Sequence, residues 1–237
     1  MKIDSFNLSS GRVIAKKYEV QQFLGAGNEG EVYKIVELET GIERAAKLFY
    51  PQRNPKDKTA KYFAKQLHKL QDCPVVIHYH TKETLTFKRQ PITVLISEYV
   101  EGDLLSDFIK QFPGKKLSPY QGIHLLYSLA KGIELVHSLN EVHGDLHSDN
   151  IIVNKFGLEF ELKILDFYFT TNSKREGRKE DLVDLIKILH ESLGGAKYYA
   201  NQPDAIKDIC CGLKTSLILK KFSNVSQLRM HLETMSW

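Results

Sequence analysis

The sequence predicts an α+β fold in two lobes: an antiparallel, strand-rich N-terminal part carrying one helix, then a helical C-terminal part. Two observations predict it. Short apolar runs bounded by turn residues fill the chain as far as Tyr99, and after Glu101-Gly102 the apolar spacing becomes that of helices. The length of 237 residues suits one compact unit or two small lobes sharing a cleft. The expected division is 1–98 and 99–237, with Tyr99 to Gly102 as the hinge.

In the first part, strands are expected at Tyr18 to Leu24, Glu31 to Leu38 and Glu43 to Phe49, joined by a glycine cluster and a Glu39-Thr40-Gly41 turn. Val75 to His80, Thr84 to Lys88 and Thr93 to Tyr99 read as further strands. One helix, from about Thr59 to Gln71, shows Ala60, Phe63, Leu67 and Leu70 on a single face. Beyond the hinge, Leu104 to Gln111 is a short helix. A long one starts at Ser118-Pro119, with proline at its favoured first position. The stripe Leu182, Leu185, Ile186, Leu189 and Leu193 predicts another, ended by Gly194-Gly195. Asp204 to Leu219 and Val225 to Met235 read as the last two.

Composition narrows the function classes. Hydrophobic residues make up 42% and charged residues 26%, a globular balance. A net charge of +4 is too mild for a dedicated nucleic-acid binder, so no nucleic-acid partner is expected. The three cysteines, Cys73, Cys210 and Cys211, are odd in number and do not form a disulfide framework, which points to a reducing cytoplasm. The adjacent pair reads as buried small hydrophobes. No apolar run spans a bilayer, and the first twelve residues lack the apolar core of a secretion signal; a signal-less export route stays open. Lys56, Lys58, Lys61, Lys65 and Lys69 crowd the early helix. A solvated face is the plain reading and an acidic partner the sharper one. His78 and His80 share a strand face but have no third metal ligand.

Three motifs carry chemistry. Gly25-Ala26-Gly27-Asn28-Glu29-Gly30-Glu31-Val32 fits G-x-G-x-x-G-x-V between two strands, a context that favours a phosphate-covering flap over a dinucleotide fold. Glu29 stands in that turn, where an acid does not help to hold an anion. Lys47, on a later strand after Ala45-Ala46, can reach phosphate oxygens as a point charge. His143-Gly144-Asp145-Leu146-His147-Ser148-Asp149-Asn150 lies between a long helix and the apolar run Ile151-Ile152-Val153. Asp145 can accept a hydroxyl proton. Asn150 and Asp166, the latter closing Leu162-Lys163-Ile164-Leu165, supply the hard oxygens that Mg²⁺ prefers.

At these residues the sequence resembles the eukaryotic-like protein kinase superfamily, and its His-Gly-Asp-Leu-His string resembles small bacterial members. The resemblance runs from about Tyr18 to Met235 and implies ATP and Mg²⁺ as cofactors. It places Lys47 on the α/β-phosphates, Asp145 at the attacking hydroxyl, and Asn150 and Asp166 on magnesium. Gly25, Gly27 and Gly30 form the flap. Val32, Ala45 and Ile152 enclose adenine, the backbone of Glu98 and Val100 faces it, and Ser97 is the gatekeeper. Asp181 leads a helix and braces the catalytic loop, and His143 and Phe167 join the internal packing column.

The chain departs from that pattern at several points. Gly144 replaces an arginine that meets a phosphorylated loop, so loop phosphorylation is not expected to act as a switch. His147 replaces the catalytic-loop lysine, and Tyr168 the glycine of Asp-Phe-Gly. The stretch from Asp166 to Asp181 is short. The early helix places Phe63 where a glutamate usually pairs with Lys47, with Gln66 as the nearest polar residue. Three arrangements are open for Lys47: another acid reaches it, with Asp166 the nearest candidate; it stays solvated until ATP supplies its charge partner, the favoured one; or the early helix is displaced and Lys47 never holds phosphate. The leading expectation is a Ser/Thr protein kinase with a shortened activation segment, acting on a protein substrate. A kinase of small hydroxylated molecules, or a weakly active or non-catalytic nucleotide-binding scaffold, are the alternatives.

Overall fold

The computed structural model describes residues 2–156, 160–167 and 173–235. It divides into two compact units, residues 1–72 with 77–100, and residues 73–76 with 101–237.

The first unit contains β1 (Val13–Ile14), β2 (Tyr18–Ala26), β3 (Gly30–Glu37), β4 (Glu43–Phe49), helix α1 (Lys58–Lys69), β5 (Tyr79–Phe87) and β6 (Gln90–Glu98). The strands form one antiparallel sheet in the order β1-β2-β3-β4-β6-β5. Alternation along each strand sends Tyr18, Val20, Tyr33, Ile35, Ala46, Leu48, Val94 and Ile96 into one core, which Ile3, Phe6 and Leu8 of the N-terminal segment complete. Helix α1 buries Ala60, Phe63, Gln66 and Leu67 and leaves Lys58, Lys61, Lys65 and Lys69 exposed.

Of the strand predicted at 75–80 only Tyr79 and His80 are strand; they open β5, which runs on through the strand predicted at 84–88 and is bent by a register shift between Tyr79 and Thr81. It turns into β6 through Lys88 and Arg89, whose positive φ values of 48° and 63° suit a two-residue hairpin. Cys73–Val76 belongs to the second unit instead, where Val76 bridges Ile164.

The second unit contains β7 (Asp103–Leu104), α2 (Leu105–Lys110), α3 (Pro119–Ser138), β8 (Ile151–Phe156), β9 (Phe160–Ile164), α4 (Lys174–Ser192), α5 (Ala196–Tyr199), α6 (Asp204–Cys210), α7 (Thr215–Lys221) and α8 (Val225–Thr234). β7, β8 and β9 form a small antiparallel sheet. Ser118 caps α3 and Ser173 caps α4, each in a reciprocal capping box with the residue three positions on. That box starts α4 well before its apolar stripe, so Asp181 lies inside the helix rather than leading it. The helix predicted over 204–219 is two, broken where Cys211, Gly212 and Leu213 adopt φ of 50°, 59° and 57°. Cys210 is buried as expected, but this break leaves Cys211 partly exposed.

Candidate active site

The His143–Asn150 segment connects α3 to β8, and its geometry is set by one buried carboxylate. Asp181, fully buried in α4, accepts the backbone N–H groups of His143 at 2.9 Å and Gly144 at 2.8 Å, and His137 Nε2 lies 2.8 Å away. Burial alone would raise its pKa. The contacts with His137, His143 and Gly144 outweigh that and hold the carboxyl below its ordinary range. Gly144 has a φ of +80°, a backbone conformation that suits glycine.

His143 ties the loop to the end of β9. Its Nδ1 accepts the Asp145 N–H at 3.2 Å, so the ring proton sits on Nε2 and is donated to the Leu165 carbonyl at 2.7 Å. The imidazole therefore links the backbone at Asp145 to the residue preceding Asp166. Burial holds it neutral, pushing its pKa down against the pull of Asp181, the Leu165 carbonyl, Asp145 and Asp166. Its ring packs 4.8 Å from that of the buried Phe167.

Asn150 joins the same end of the hairpin. Its backbone carbonyl accepts the Leu165 N–H at 2.8 Å, next to the Ile151–Ile164 pair. The side-chain orientation follows from the partner that can only accept: Nδ2 donates to the Asp145 carbonyl at 2.9 Å. The amide oxygen is thereby left for another ligand. Asp166 carries a φ of +48°, a strained turn for a non-glycine residue, and its side chain is exposed. The Asp145 carboxylate is 56% exposed, with His147 Nε2 at 3.7 Å. An amide oxygen and a carboxylate on adjoining turns fit the oxygen-ligand chemistry of Mg²⁺.

In the first unit, the three motif glycines separate by environment. A Cβ at Gly30 would lie 1.9 Å from the Leu48 carbonyl oxygen, whereas Gly25 and Gly27 face open space. Gly30 is thus required by the close approach of β3 to β4, and Gly25 and Gly27 leave room for a ligand above the turn. The turn closes by a Gly27 N–H to Gly30 carbonyl bond of 2.9 Å. Val32 and Ala45 are partly buried on β3 and β4, and Val32 pairs with Lys47 in register. The Glu98 N–H donates to the His78 carbonyl at 2.9 Å, so what its backbone can offer a base is its carbonyl. Val100 and Ile152 are partly buried.

The solvated state expected for Lys47 is not found. Its ammonium lies 3.2 Å from Glu29 Oε2 and 4.6 Å from the centre of the Phe63 ring. The side chains of Lys47 and Glu29 are only 16% and 21% exposed. Register explains this: Gly30 opposite Phe49 brings Glu29 to the end of β4, where its carbonyl accepts the Tyr50 N–H at 2.8 Å. The hairpin pairing carried that signal in the sequence. The other residues missed were His137, one of the Asp181 partners, and Glu31, discussed below. Tyr168, Thr170 and Thr171 lie outside the described residues. Among the described residues no group of three or more His, Cys, Asp or Glu could hold a metal ion. No helix among them is long and apolar enough to cross a membrane.

A loop that leaves a long helix, is braced by a buried aspartate, and closes on a two-stranded hairpin with Asn150 and Asp166 at its end is the arrangement of kinase-like phosphotransferases. Comparison with known proteins agrees. The protein kinase domain model matches residues 18–207. The chain is 29% identical over 159 residues to the serine/threonine-protein kinase fray1 of Dictyostelium discoideum, covering 65% of this chain and 26% of that protein. It is 30% identical over 161 residues to human serine/threonine-protein kinase Nek11, covering 65% and 24%. The chain thus spans about a quarter of the length of these relatives. The Mycobacterium tuberculosis PknI kinase domain, in its C20A_R136A double mutant, superposes with a TM-score of 0.71 at 16% identity, covering 97% of this chain and 98% of that one. The BubR1 kinase domain superposes with a TM-score of 0.69 at 20% identity, covering 98% and 84%. The chain belongs to the protein kinase family, and its fold is the bilobal α+β kinase fold.

Proposed function

We propose that this chain is an ATP- and magnesium-dependent Ser/Thr protein kinase. The observation that carries the reading is the joint placement of Asp145, Asn150 and Asp166 by His143 and the Leu165–Asn150 backbone bond. Asp145 orients and deprotonates the substrate hydroxyl. Asn150 Oδ1 and the Asp166 carboxylate hold magnesium, whose role when bound is to neutralise charge on the phosphates. Lys47 and the turn at Gly25 and Gly27 bind phosphates. Val32, Ala45 and Ile152 give apolar surface for adenine, with the backbone of Glu98 and Val100 at its edge. Residues 1–98 act as the nucleotide-binding lobe and 99–237 as the catalytic lobe.

The acceptor is a protein, in keeping with the serine/threonine-protein kinases among its relatives. The exposed Lys56, Lys58, Lys61, Lys65 and Lys69 offer an acidic partner a docking surface, and the protein works in the cytoplasm. The test is transfer of labelled phosphate from ATP by the purified protein, with and without a whole-cell lysate. Magnesium-dependent labelling of lysate proteins, lost in Asp145→Asn with nucleotide binding retained, is expected. Undiminished transfer in Asp145→Asn overturns the mechanism, and labelling of small molecules alone overturns the protein acceptor.

A further inference from the structure

Glu29 is the one acid that the phosphate-covering turn directs at its own phosphate-binding cation. Its carboxylate lies 3.2 Å from the Lys47 ammonium, both side chains are largely buried, and its backbone is fixed to β4 by the bond from the Tyr50 N–H. Phe63 covers the ammonium from α1 with its ring face, 4.6 Å away, where a carboxylate on that helix would otherwise stand. The lysine is thus held by an aromatic face from the helix and by an anion from the turn.

We propose that Glu29 is an internal phosphate mimic: it occupies Lys47 in the nucleotide-free protein and is displaced by the nucleotide's phosphates. This rests on the reading of Lys47 as a phosphate ligand. The physical argument concerns like charges. A triphosphate held under this turn would bring several negative charges to the ammonium that Glu29 contacts, and a carboxylate kept within a few ångströms of them in a partly buried site is repelled. A carboxylate on a helix can approach a lysine from the side away from the nucleotide. One on the turn that covers the phosphates approaches from their own side. Glu29 is therefore a positioning residue that keeps Lys47 in place before nucleotide arrives, and each nucleotide must break that pair to bind. The turn then opens on binding, and the gain from phosphate at this cation is lowered by the contact with Glu29 that it must replace.

The test is calorimetric titration of wild type, Glu29→Gln and Glu29→Asp with magnesium and a non-hydrolysable ATP analogue, and separately with adenosine. Glu29→Gln should bind the analogue roughly three- to tenfold more tightly, the effect of removing one partly buried ion pair, and Glu29→Asp, which keeps the charge on a shorter side chain, should gain less. Adenosine, which has no phosphates, should bind all three proteins equally. In a Lys47→Met background Glu29→Gln should change analogue affinity little, because the competition is gone. Unchanged or weaker analogue binding in Glu29→Gln overturns the proposal and would make Glu29 a permanent partner of Lys47. Equal tightening with and without Lys47 overturns it too, since that marks a general field effect. If wild type binds adenosine but not the analogue, Lys47 is not a phosphate ligand and the proposal falls with that assignment. If it binds neither, the nucleotide reading itself fails.

Discussion

Asp181 Oδ2 accepts the backbone N–H of His143 at 2.9 Å, from a side chain with no exposure to solvent. With the Gly144 bond from Oδ1 and the His137 contact, this carboxylate spends its lone pairs on the two residues that precede Asp145. A buried anion satisfied in this way fixes the path of the loop, because moving either N–H away would leave charge uncompensated in the interior. Asp181→Asn keeps the shape but turns an NH₂ group toward a donor. The loss should be about 3 kcal/mol, read from urea unfolding. A variant as stable as wild type would show that the loop is held by other contacts.

The buried His143 gives the second unit a pH dependence whose sign can be worked out. Its imidazole stays neutral in the folded protein, with its pKa lowered by burial despite the opposing influence of Asp181, the Leu165 carbonyl, Asp145 and Asp166. The unfolded chain takes up that proton near the ordinary value of 6.5. Below that pH the unfolded state binds more protons, so this contribution is complete above 6.5 and is lost as pH falls, by at most about 1.4 kcal/mol per pH unit. Asp181 has a lowered pKa, so its own contribution is lost further into acid, below its ordinary value of 3.8. His143→Gln should flatten the stability profile between about pH 5 and 6.5 relative to wild type. Parallel profiles would mean that His143 titrates normally.

Much of this was legible before the structure. Turn residues and spacing gave the order of elements, and polar residues set between apolar elements singled out the segment from His143 to Asn150, whose chemistry is the proposal made above. What was missed were a relation between distant positions and two local features. The Glu29–Lys47 pair depends on hairpin register, and a local reading of Glu29 as unhelpful to an anion missed it. The start of α4 at Ser173 is marked by a capping box that precedes the apolar stripe. The break at Cys211–Leu213 requires positive φ at two non-glycine residues, which nothing in their side chains signals.

The residue after the last motif glycine has a separate structural role. Glu31 is buried, and its carboxylate accepts the Phe6 N–H at 2.9 Å, the Tyr50 hydroxyl at 3.2 Å and the Tyr33 hydroxyl. Burial, reinforced by Glu31, pushes both phenols up to about 12. Phe6 also stacks on Tyr50 and meets Phe87 edge-on, with centroids 5.4 and 5.3 Å apart. This network pins the N-terminal segment across the sheet that carries the glycine turn. Phe6→Ala should cost roughly 3–5 kcal/mol in thermal or urea unfolding, the usual loss for a buried aromatic ring. A loss under about 1 kcal/mol would show that the segment is not part of the core.

The glycines of the turn allow function to be separated from packing within one motif. A methyl group at Gly30 would fall 1.9 Å from the Leu48 carbonyl oxygen, a backbone atom that cannot move without breaking the β3–β4 ladder. Gly30→Ala should therefore destabilise the first unit by about 2 kcal/mol or more, in the range of overpacked sites. Gly25 and Gly27 have open space where a Cβ would stand and do not have positive φ, so alanine there should fold normally. If their bareness serves close approach of backbone to phosphate, the Gly25→Ala, Gly27→Ala double variant will keep its melting temperature and lose nucleotide affinity. Differential scanning calorimetry and titration with a magnesium–ATP analogue on the same samples separate the two effects. A double variant that melts normally and binds the analogue as well as wild type would show that the turn does not hold phosphate through its backbone at these positions.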